Sequence, residues 1–290
     1  MSVEEEATLI PIRKFSTLAC QCAKKGSPLA GLQKLPLYQS IDEGGGGGGG
    51  EGLSKNLLDE AITLLFAGQD TSAATLSWTL HLLSLSPKRQ DRLAQEVRRI
   101  MTEEGVNEDG SSGLNKRVLT KMTYLDAVIK ESMRLYPVAP FVVRRLPFSV
   151  TVGGDENQQH SPRVTIPANT VACIWIYGLH RHPDFWSQPE EFVPERWLVE
   201  DNHNMDAGIT NGAYMPFAAG PRNCVGQPLA NIILRTLLAR LVSNFEFRDP
   251  RLTRADEDDT GRARSLRKDM QAGFTVLPKD GVQLQILERG

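Results

Sequence analysis

Residues 217–226 of this 290-residue chain read Phe217-Ala-Ala-Gly220-Pro-Arg222-Asn-Cys224-Val-Gly226, and a helix is predicted directly after them, from Pro228 to Phe245. The two glycines allow sharp turns and a close approach of the backbone to a flat partner. Backbone amides near the start of a helix stabilise a thiolate. Such a thiolate is a good soft ligand for iron. If the iron belongs to a cofactor with carboxylate groups, Arg222 can pair with one of them. The alternative is a buried structural cysteine beside a turn.

Three further motifs precede this loop in the chain. Glu131-Ser-Met-Arg134 places an acid and a base three residues apart, on one face of a predicted helix. Pro194-Glu195-Arg196-Trp197 supplies another arginine, and Ala67-Gly68-Gln69-Asp70-Thr71-Ser72 combines small residues with an acid and an alcohol. Taken singly, each has a plain structural alternative, because exposed ion pairs are common and helical hydroxyls often bond back to the backbone.

In this order and at these gaps, the four motifs resemble those of the cytochrome P-450 family, whose members are haem-thiolate monooxygenases. The loop matches the family's haem loop at every strongly specified position. Two positions differ, since Ala218 stands where serine or glycine is commonest and Trp197 stands where phenylalanine is usual. The resemblance extends from about Leu53 to Glu288.

The resemblance implies a set of cofactor-binding residues, with the Cys224 thiolate as the axial ligand of the iron in haem b. Arg144, ten residues after the arginine of the Glu131 motif, is implied to contact a haem propionate. Ala67 and Gly68 are implied to leave room on the distal side. The remaining implied haem contacts are Arg222, Phe217, Gly220 and Gly226.

Other residues receive roles in chemistry, substrate binding and stability from the same resemblance. Asp70 and Thr71 are the implied proton relay toward bound oxygen. The implied ion network that holds the proximal side together consists of Glu131, Arg134 and Arg196. The implied lining of the substrate pocket consists of Pro140, Phe141, Val142 and Val143.

The implied reaction is insertion of one oxygen atom from O2 into an apolar small molecule. Electrons would come from NADPH through a reductase or a ferredoxin. The stretch Gly178-Leu-His180-Arg-His182-Pro183 is most similar to fatty-acid and carotenoid hydroxylases. Two alternatives stay open: a haem-thiolate isomerase or dehydratase that needs no electron donor, and a non-catalytic fragment. The Asp70-Thr71 pair favours the monooxygenase.

The expected fold class is mainly α with small β-sheets (α+β), corresponding to the C-terminal, haem-binding part of the family's fold. Residues 1–52 form a separate N-terminal segment with a flexible glycine run at 44–50, and residues 53–290 form the haem-binding portion. Because family members are longer, we expect a truncated chain without the N-terminal half. Helices are predicted at 54–86, 87–101, 123–135 and 228–245.

Short strands are expected after Pro137. The apolar runs Val164 to Ile166 and Val171 to Tyr177 predict buried strands. Alternation on both sides of Asp280-Gly281 predicts a hairpin. In the helix after the cysteine loop, the residues expected to share the buried face are Leu229, Ile232, Ile233, Leu237 and Leu241.

Composition excludes several other classes of protein. The 33 basic and 35 acidic residues leave a formal charge of −2, which argues against nucleic acid as a partner. Four cysteines in so long a chain do not make a disulfide framework, which favours a reduced, intracellular setting. No segment of the sequence is expected to span a bilayer. Membrane association, in the endoplasmic reticulum or another organelle, is therefore expected only through an N-terminal anchor of the full-length parent.

Overall fold

The computed structural model describes residues 55–107, 113–153, 163–198, 206–252, 270–272, 275–279 and 281–289. Backbone contacts divide the chain into two compact units, residues 1–71 and 72–290. The predicted N-terminal segment and its glycine run lie outside the described residues. None of the described helices is both long and apolar enough to cross a membrane.

The predicted N-terminal helices are confirmed. Helix α1 covers Lys55–Ser84 and helix α2 covers Pro87–Glu103. Pro87 separates them because it lacks the backbone N–H that a continued helix requires, and it begins α2 instead. The short helix α3, Lys116–Leu119, leads into α4, Thr123–Leu135, which is the helix predicted there.

The strands after Pro137 form two antiparallel pairs. Strand β1, Val142–Arg145, pairs with β4, Val171–Ile174, whereas β2, Val150–Val152, pairs with β3, Val164–Ile166. The prediction that these strands are buried was wrong, since Val164 is 52% exposed and Val171 is 64% exposed. Each sheet has only two strands, and the described elements leave much of its faces uncovered.

The predicted strand from Val171 to Tyr177 is also too long. It ends at Ile174, and the next residues form the short helix α5, Ile176–Leu179. A 3₁₀ helix at Pro194–Leu198 and a short helix α6 at Ala207–Thr210 follow.

Helix α7, Gln227–Asn244, confirms the prediction of a helix after the cysteine loop, but its buried face differs from the expected one. Leu229, Ile232 and Leu237 are exposed by 58%, 42% and 45%. The residues of α7 that are buried are instead Leu234, Leu238, Ala239, Val242 and Ser243. Because α7 has apolar residues around most of its circumference, periodicity alone could not identify the packed face.

The hairpin predicted at Gly281 was wrong. Strand β7, Val276–Pro278, pairs with β6, Met270–Ala272, and β8, Gln285–Glu288, pairs with β5, Phe245–Arg248. The strands on the two sides of Gly281 therefore use partners from earlier in the chain. Local alternation does not reveal such long-range pairing.

Helix α2 is bonded to this distant sheet through polar side chains. The Gln90 side chain donates to the carbonyl of Phe247 over 2.9 Å and accepts from its N–H over 2.7 Å. Arg289 Nη1 lies 2.8 Å from Asp91 Oδ1. These contacts tie α2 to β5 and to the residue after β8.

The core of the second unit is built by α2, α4 and α7, with residues from the end of α1. Trp78 stacks on Tyr136 with ring centroids 3.9 Å apart, and its Nε1 donates to the carbonyl of Val276 over 2.9 Å. Other core residues, each under 5% exposed, are Leu82, Leu83, Leu93, Val97, Val118, Leu125, Val128, Leu135, Leu238 and Val242. The buried residues Leu93, Val97 and Ile100 lie on one face of α2.

Candidate haem-binding site and its supporting network

A buried carboxylate, Glu131 on α4, organises the region behind the cysteine loop. Arg134 donates to it twice, Nε to Oε2 and Nη2 to Oε1, each over 2.9 Å. Arg196 Nε, the Val193 N–H and Trp197 Nε1 donate over 3.1, 2.9 and 3.0 Å. Glu131 and Arg134 are both 0% exposed. The predicted three-residue ion network is therefore present, and Trp197 belongs to it as well.

Arg134 also fixes the backbone that follows α5. Its Nη1 donates to the carbonyls of His180 and Pro189 over 2.8 and 2.7 Å, and its Nη2 donates to that of Glu191 over 2.9 Å. Three backbone carbonyls, one at residue 180 and two at residues 189 and 191, thus converge on one guanidinium. Arg134, which the sequence predicted as the basic member of an acid–base pair, thus also holds the backbone after α5 in place.

Arg196 connects Glu131 to a second acid, Asp206, with which its Nη1 is paired. The amide of Ser187 donates to Asp206 Oδ1 over 2.9 Å. Burial acts against ionisation of both acids. The arginines nevertheless lower the pKa of Glu131, and Ser187 together with Arg196 lowers the pKa of Asp206. Both carboxylates are therefore ionised at neutral pH.

The cysteine loop is folded by its own backbone. The Cys224 N–H donates to the carbonyl of Phe217 over 2.9 Å, and the Asn223 N–H donates to that of Gly220 over 3.1 Å. Gly220 has a φ of 79°, which explains why glycine is favoured there. Ala218, which departs from the family pattern, also has a positive φ, 59°. Gly226, expected to be a turn glycine, has a φ of −82° and caps α7 instead.

The loop presents its thiol outward. Cys224 is exposed, directly before the 18-residue helix α7. The alternative of a buried structural cysteine is therefore wrong for Cys224. Phe217, at the start of the loop, packs against the core and anchors it.

Two arginines predicted to bind propionates are exposed. Arg222 lies in the loop, and Arg144 lies on β1, where its Nη1 donates to the carbonyl of Val143 over 2.8 Å. Within the described part of the chain, neither guanidinium forms an ion pair with an acid. Both side chains are thus available to an anionic group.

The predicted pocket residues and distal-helix residues lie on separate elements. Val142 and Val143 are the first residues of β1, and Pro140 and Phe141 directly precede it. Phe141 is 50% exposed. The residues Ala67, Gly68, Asp70 and Thr71 lie on the part of α1 that belongs to the first unit.

Thr71 Oγ1 donates to the carbonyl of Ala67 over 2.6 Å. This is the bond back to the helix backbone that the sequence left open as an alternative to a proton relay. A helical hydroxyl can change its donor direction when a partner binds, so this bond is compatible with a proton relay.

His180 was not predicted as a site residue, although it lies in a stretch singled out for its resemblance to hydroxylases. It is 0% exposed, and its ring contacts both the ion network and the segment leading to the cysteine loop. No local pattern in the sequence indicates this role, because the ring of His180 meets its partners across 46 and 35 residues.

Comparisons with known proteins agree with these motifs. A family model described as Cytochrome P-450 matches residues 22–271. The chain is 32% identical over 238 residues to cytochrome P-450 4c3 of Drosophila melanogaster, covering 81% of this chain and 38% of that protein. It is 32% identical over 223 residues to cytochrome P-450 3A6 of Oryctolagus cuniculus, covering 77% and 40%. It is 35% identical over 214 residues to cytochrome P-450 4V2 of Mus musculus, covering 72% and 35%. The chain thus spans at most 40% of the length of these curated relatives.

Proposed function

Since the chain belongs to the cytochrome P-450 family, we propose that it is the haem-binding portion of a haem-thiolate monooxygenase, with Cys224 as the axial ligand of haem b. The observation that carries this proposal is that the Cys224 thiol is exposed. It lies just before α7, on a loop that is folded by hydrogen bonds between its own backbone groups. A thiolate ligand of iron must be accessible to the metal, and the exposed Cys224 meets this requirement.

The residues around Cys224 fit a flat cofactor that carries carboxylates. The surface beside Gly220 is open, because a Cβ placed there would meet no atom within 4 Å. The Arg222 and Arg144 guanidinium groups are exposed and can each donate two hydrogen bonds to a carboxylate. We therefore propose that these two arginines hold the haem propionates. Phe217, Gly220 and Gly226 would shape the surface against which the ring lies.

Bound haem would supply activation of O2, with electrons delivered from NADPH by a reductase or a ferredoxin. The residues of this chain have other tasks. Ala67 and Gly68 would leave room for oxygen, and Asp70 and Thr71 would relay protons to it. The apolar side chains of the segment from Pro140 to Val143, of which Phe141 and Val143 are exposed, would contact an apolar substrate.

The ion network would support this site without touching substrate. Arg134 clamps the backbone after α5, and Arg196 joins Glu131 to Asp206, so their loss would release the segments that precede the loop. Fatty-acid or carotenoid hydroxylation, and the intracellular compartment, stay predictions from the sequence.

Substitution of Cys224 by serine tests the ligand. We expect Cys224→Ser, purified with added haem, to lose the long-wavelength carbon monoxide band typical of a thiolate ligand, because an alkoxide does not replace a soft thiolate on iron. Cys173→Ser is the matched control, since Cys173 is the other exposed free thiol among the described residues. Retention of the band in Cys224→Ser, or its loss in Cys173→Ser, would identify a different ligand.

A further inference from the structure

His180 bridges two elements through its two ring nitrogens. Nδ1 lies 3.2 Å from the carbonyl of Arg134, at the end of α4, and Nε2 lies 2.9 Å from the backbone nitrogen of Met215. An amide N–H can only donate, so Nε2 is the acceptor and carries no proton. Nδ1 therefore carries the proton and donates to Arg134.

From Met215 a short chain of hydrogen bonds leads to the cysteine. The carbonyl of Met215 accepts from the Ala218 N–H over 3.0 Å, and the carbonyl of Phe217 accepts from the Cys224 N–H over 2.9 Å. Met215 is thus the residue from which the turn begins. Its position determines where the loop leaves the core.

Stacking by Tyr214 also holds the His180 ring in place. Tyr214 stacks on it with ring centroids 5.3 Å apart, and the Tyr214 hydroxyl donates to the carbonyl of Lys130 over 3.1 Å. Burial, with Arg134 and Arg181 nearby, lowers the pKa of His180 to about 4, which agrees with a neutral ring. A neutral ring is what the Met215 contact requires.

We infer that His180 is a positioning residue for the iron ligand. Through the Met215 amide, it makes the position of the Cys224 loop depend on the position of the buried Glu131–Arg134 network. The inference rests on the proposed function in one respect, namely that Cys224 binds the iron. The structural link between His180 and the loop does not depend on that assignment.

Two substitutions separate this role from simple packing. In His180→Asn the short amide reaches the position of Nδ1, so the bond to Arg134 is kept and the acceptor for Met215 is lost. In His180→Gln the longer amide reaches the position of Nε2, so an acceptor for Met215 is restored. His182→Asn is the matched control, because His182 lies two residues away with a side chain that is 51% exposed.

Amide hydrogen exchange of the whole haem-free chain, read by mass spectrometry, measures the link directly. We expect His180→Asn to exchange about tenfold faster than wild type at residues 214–226, the effect of losing one buried hydrogen bond, with α2 unchanged as the internal reference. His180→Gln should stay within about twofold of wild type, and His182→Asn should match it. Unchanged exchange of the loop in His180→Asn overturns the inference. Equal acceleration of the loop and α2 in both His180 variants also overturns it, because the ring would then act through core packing.

The haem-bound chain provides the second measurement. We expect His180→Asn to lower the fraction of bound haem that shows the thiolate-type carbon monoxide band, and His180→Gln to restore it. If Cys224→Ser keeps that band, the proposed function fails, while the exchange measurement still decides the role of His180. If Cys224→Ser loses the band and His180→Asn keeps it in full, the ligand assignment stands and the positioning role fails.

Discussion

A single carboxylate, Glu131, carries the densest set of polar contacts in the region behind the cysteine loop. Removing a carboxylate from water is costly unless its oxygens are fully hydrogen-bonded. Glu131 meets this condition through Arg134, Arg196, the Val193 amide and the indole of Trp197. The indole is the contact that a phenylalanine, usual at this position in the family, could not make.

Replacing Trp197 by phenylalanine tests that contact. We expect Trp197→Phe to lower the free energy of unfolding by about 1.5 to 3 kcal/mol, because Glu131 loses one donor and remains buried and ionised. Chemical denaturation measures the change. Trp175→Phe is the control, since Trp175 is 64% exposed, and it should cost less than about 0.5 kcal/mol. Equal costs for the two substitutions would contradict a role for the indole hydrogen bond.

Among single residues, the sequence predicted the roles of the acid and both arginines of the network. It predicted neither the contact of Trp197 nor that of His180. A three-residue spacing within a helix is a local pattern, so Glu131 and Arg134 could be paired from it. Trp197 and His180 meet their partners across 66 and 35 residues. Nothing in their immediate neighbourhood indicates those partners.

Among the secondary-structure elements, α4 depends on its neighbour α2 for its N-terminal cap. Its N-cap residue, Met122, makes no side-chain hydrogen bond. Glu96 of α2 replaces it, because its carboxylate accepts from the amides of Tyr124 and Leu125, each over 2.9 Å. A cap supplied by another helix also fixes how the two helices are placed.

Removal of this cap should destabilise the second unit. We expect Glu96→Ala to cost about 1 to 2 kcal/mol of unfolding free energy, since two amide donors at the start of α4 lose their acceptor. Glu103→Ala is the control on the same helix, because its exposed ion pair with Arg99 contributes at most about 0.5 kcal/mol. A cost for Glu96→Ala no larger than that of the control would show that water satisfies the α4 amides equally well.

The helices could be predicted from the sequence because their ends have local causes, such as Pro87 between α1 and α2. The pairing of the strands and the packed side of α7 could not be predicted in this way. The partner of β8 is β5, far earlier in the chain, and α7 has apolar residues on both its buried and its exposed faces. Tertiary packing determines the strand partners and the buried face of the helix, and local periodicity does not encode that packing.

For the second unit as a whole, His180 makes stability depend on pH. Its pKa is lowered from 6.5 to about 4 on folding, so the unfolded chain binds one more proton between these values. Stability from this group is therefore complete above about pH 6.5 and is lost as the pH falls toward 4. The loss amounts to about 3 kcal/mol for a shift of this size. The lowered pKa of Glu131 adds a further loss below its ordinary value of 4.5.

Urea denaturation at a series of pH values measures this dependence. We expect the wild type to lose stability between pH 6.5 and 4 with a slope approaching about 1.4 kcal/mol per pH unit. His180→Gln should lose most of that slope, whereas His182→Asn should keep it. An identical slope in His180→Gln would assign the proton uptake to another group.

The bonds from α2 to β5 and to Arg289 have a consequence for biosynthesis. Asp91 and Arg289, which form an ion pair, are 198 positions apart in the chain. At a typical rate of translation, the ribosome needs about 10 to 40 seconds to add that many residues. During this interval the nascent α2 lacks Arg289, the partner of Asp91, and Phe247, the partner of Gln90, is added only 157 positions after Gln90. Until α7 is also made, α2 lacks a helix against which it packs in the folded chain, and transiently exposed apolar surface of this kind favours aggregation.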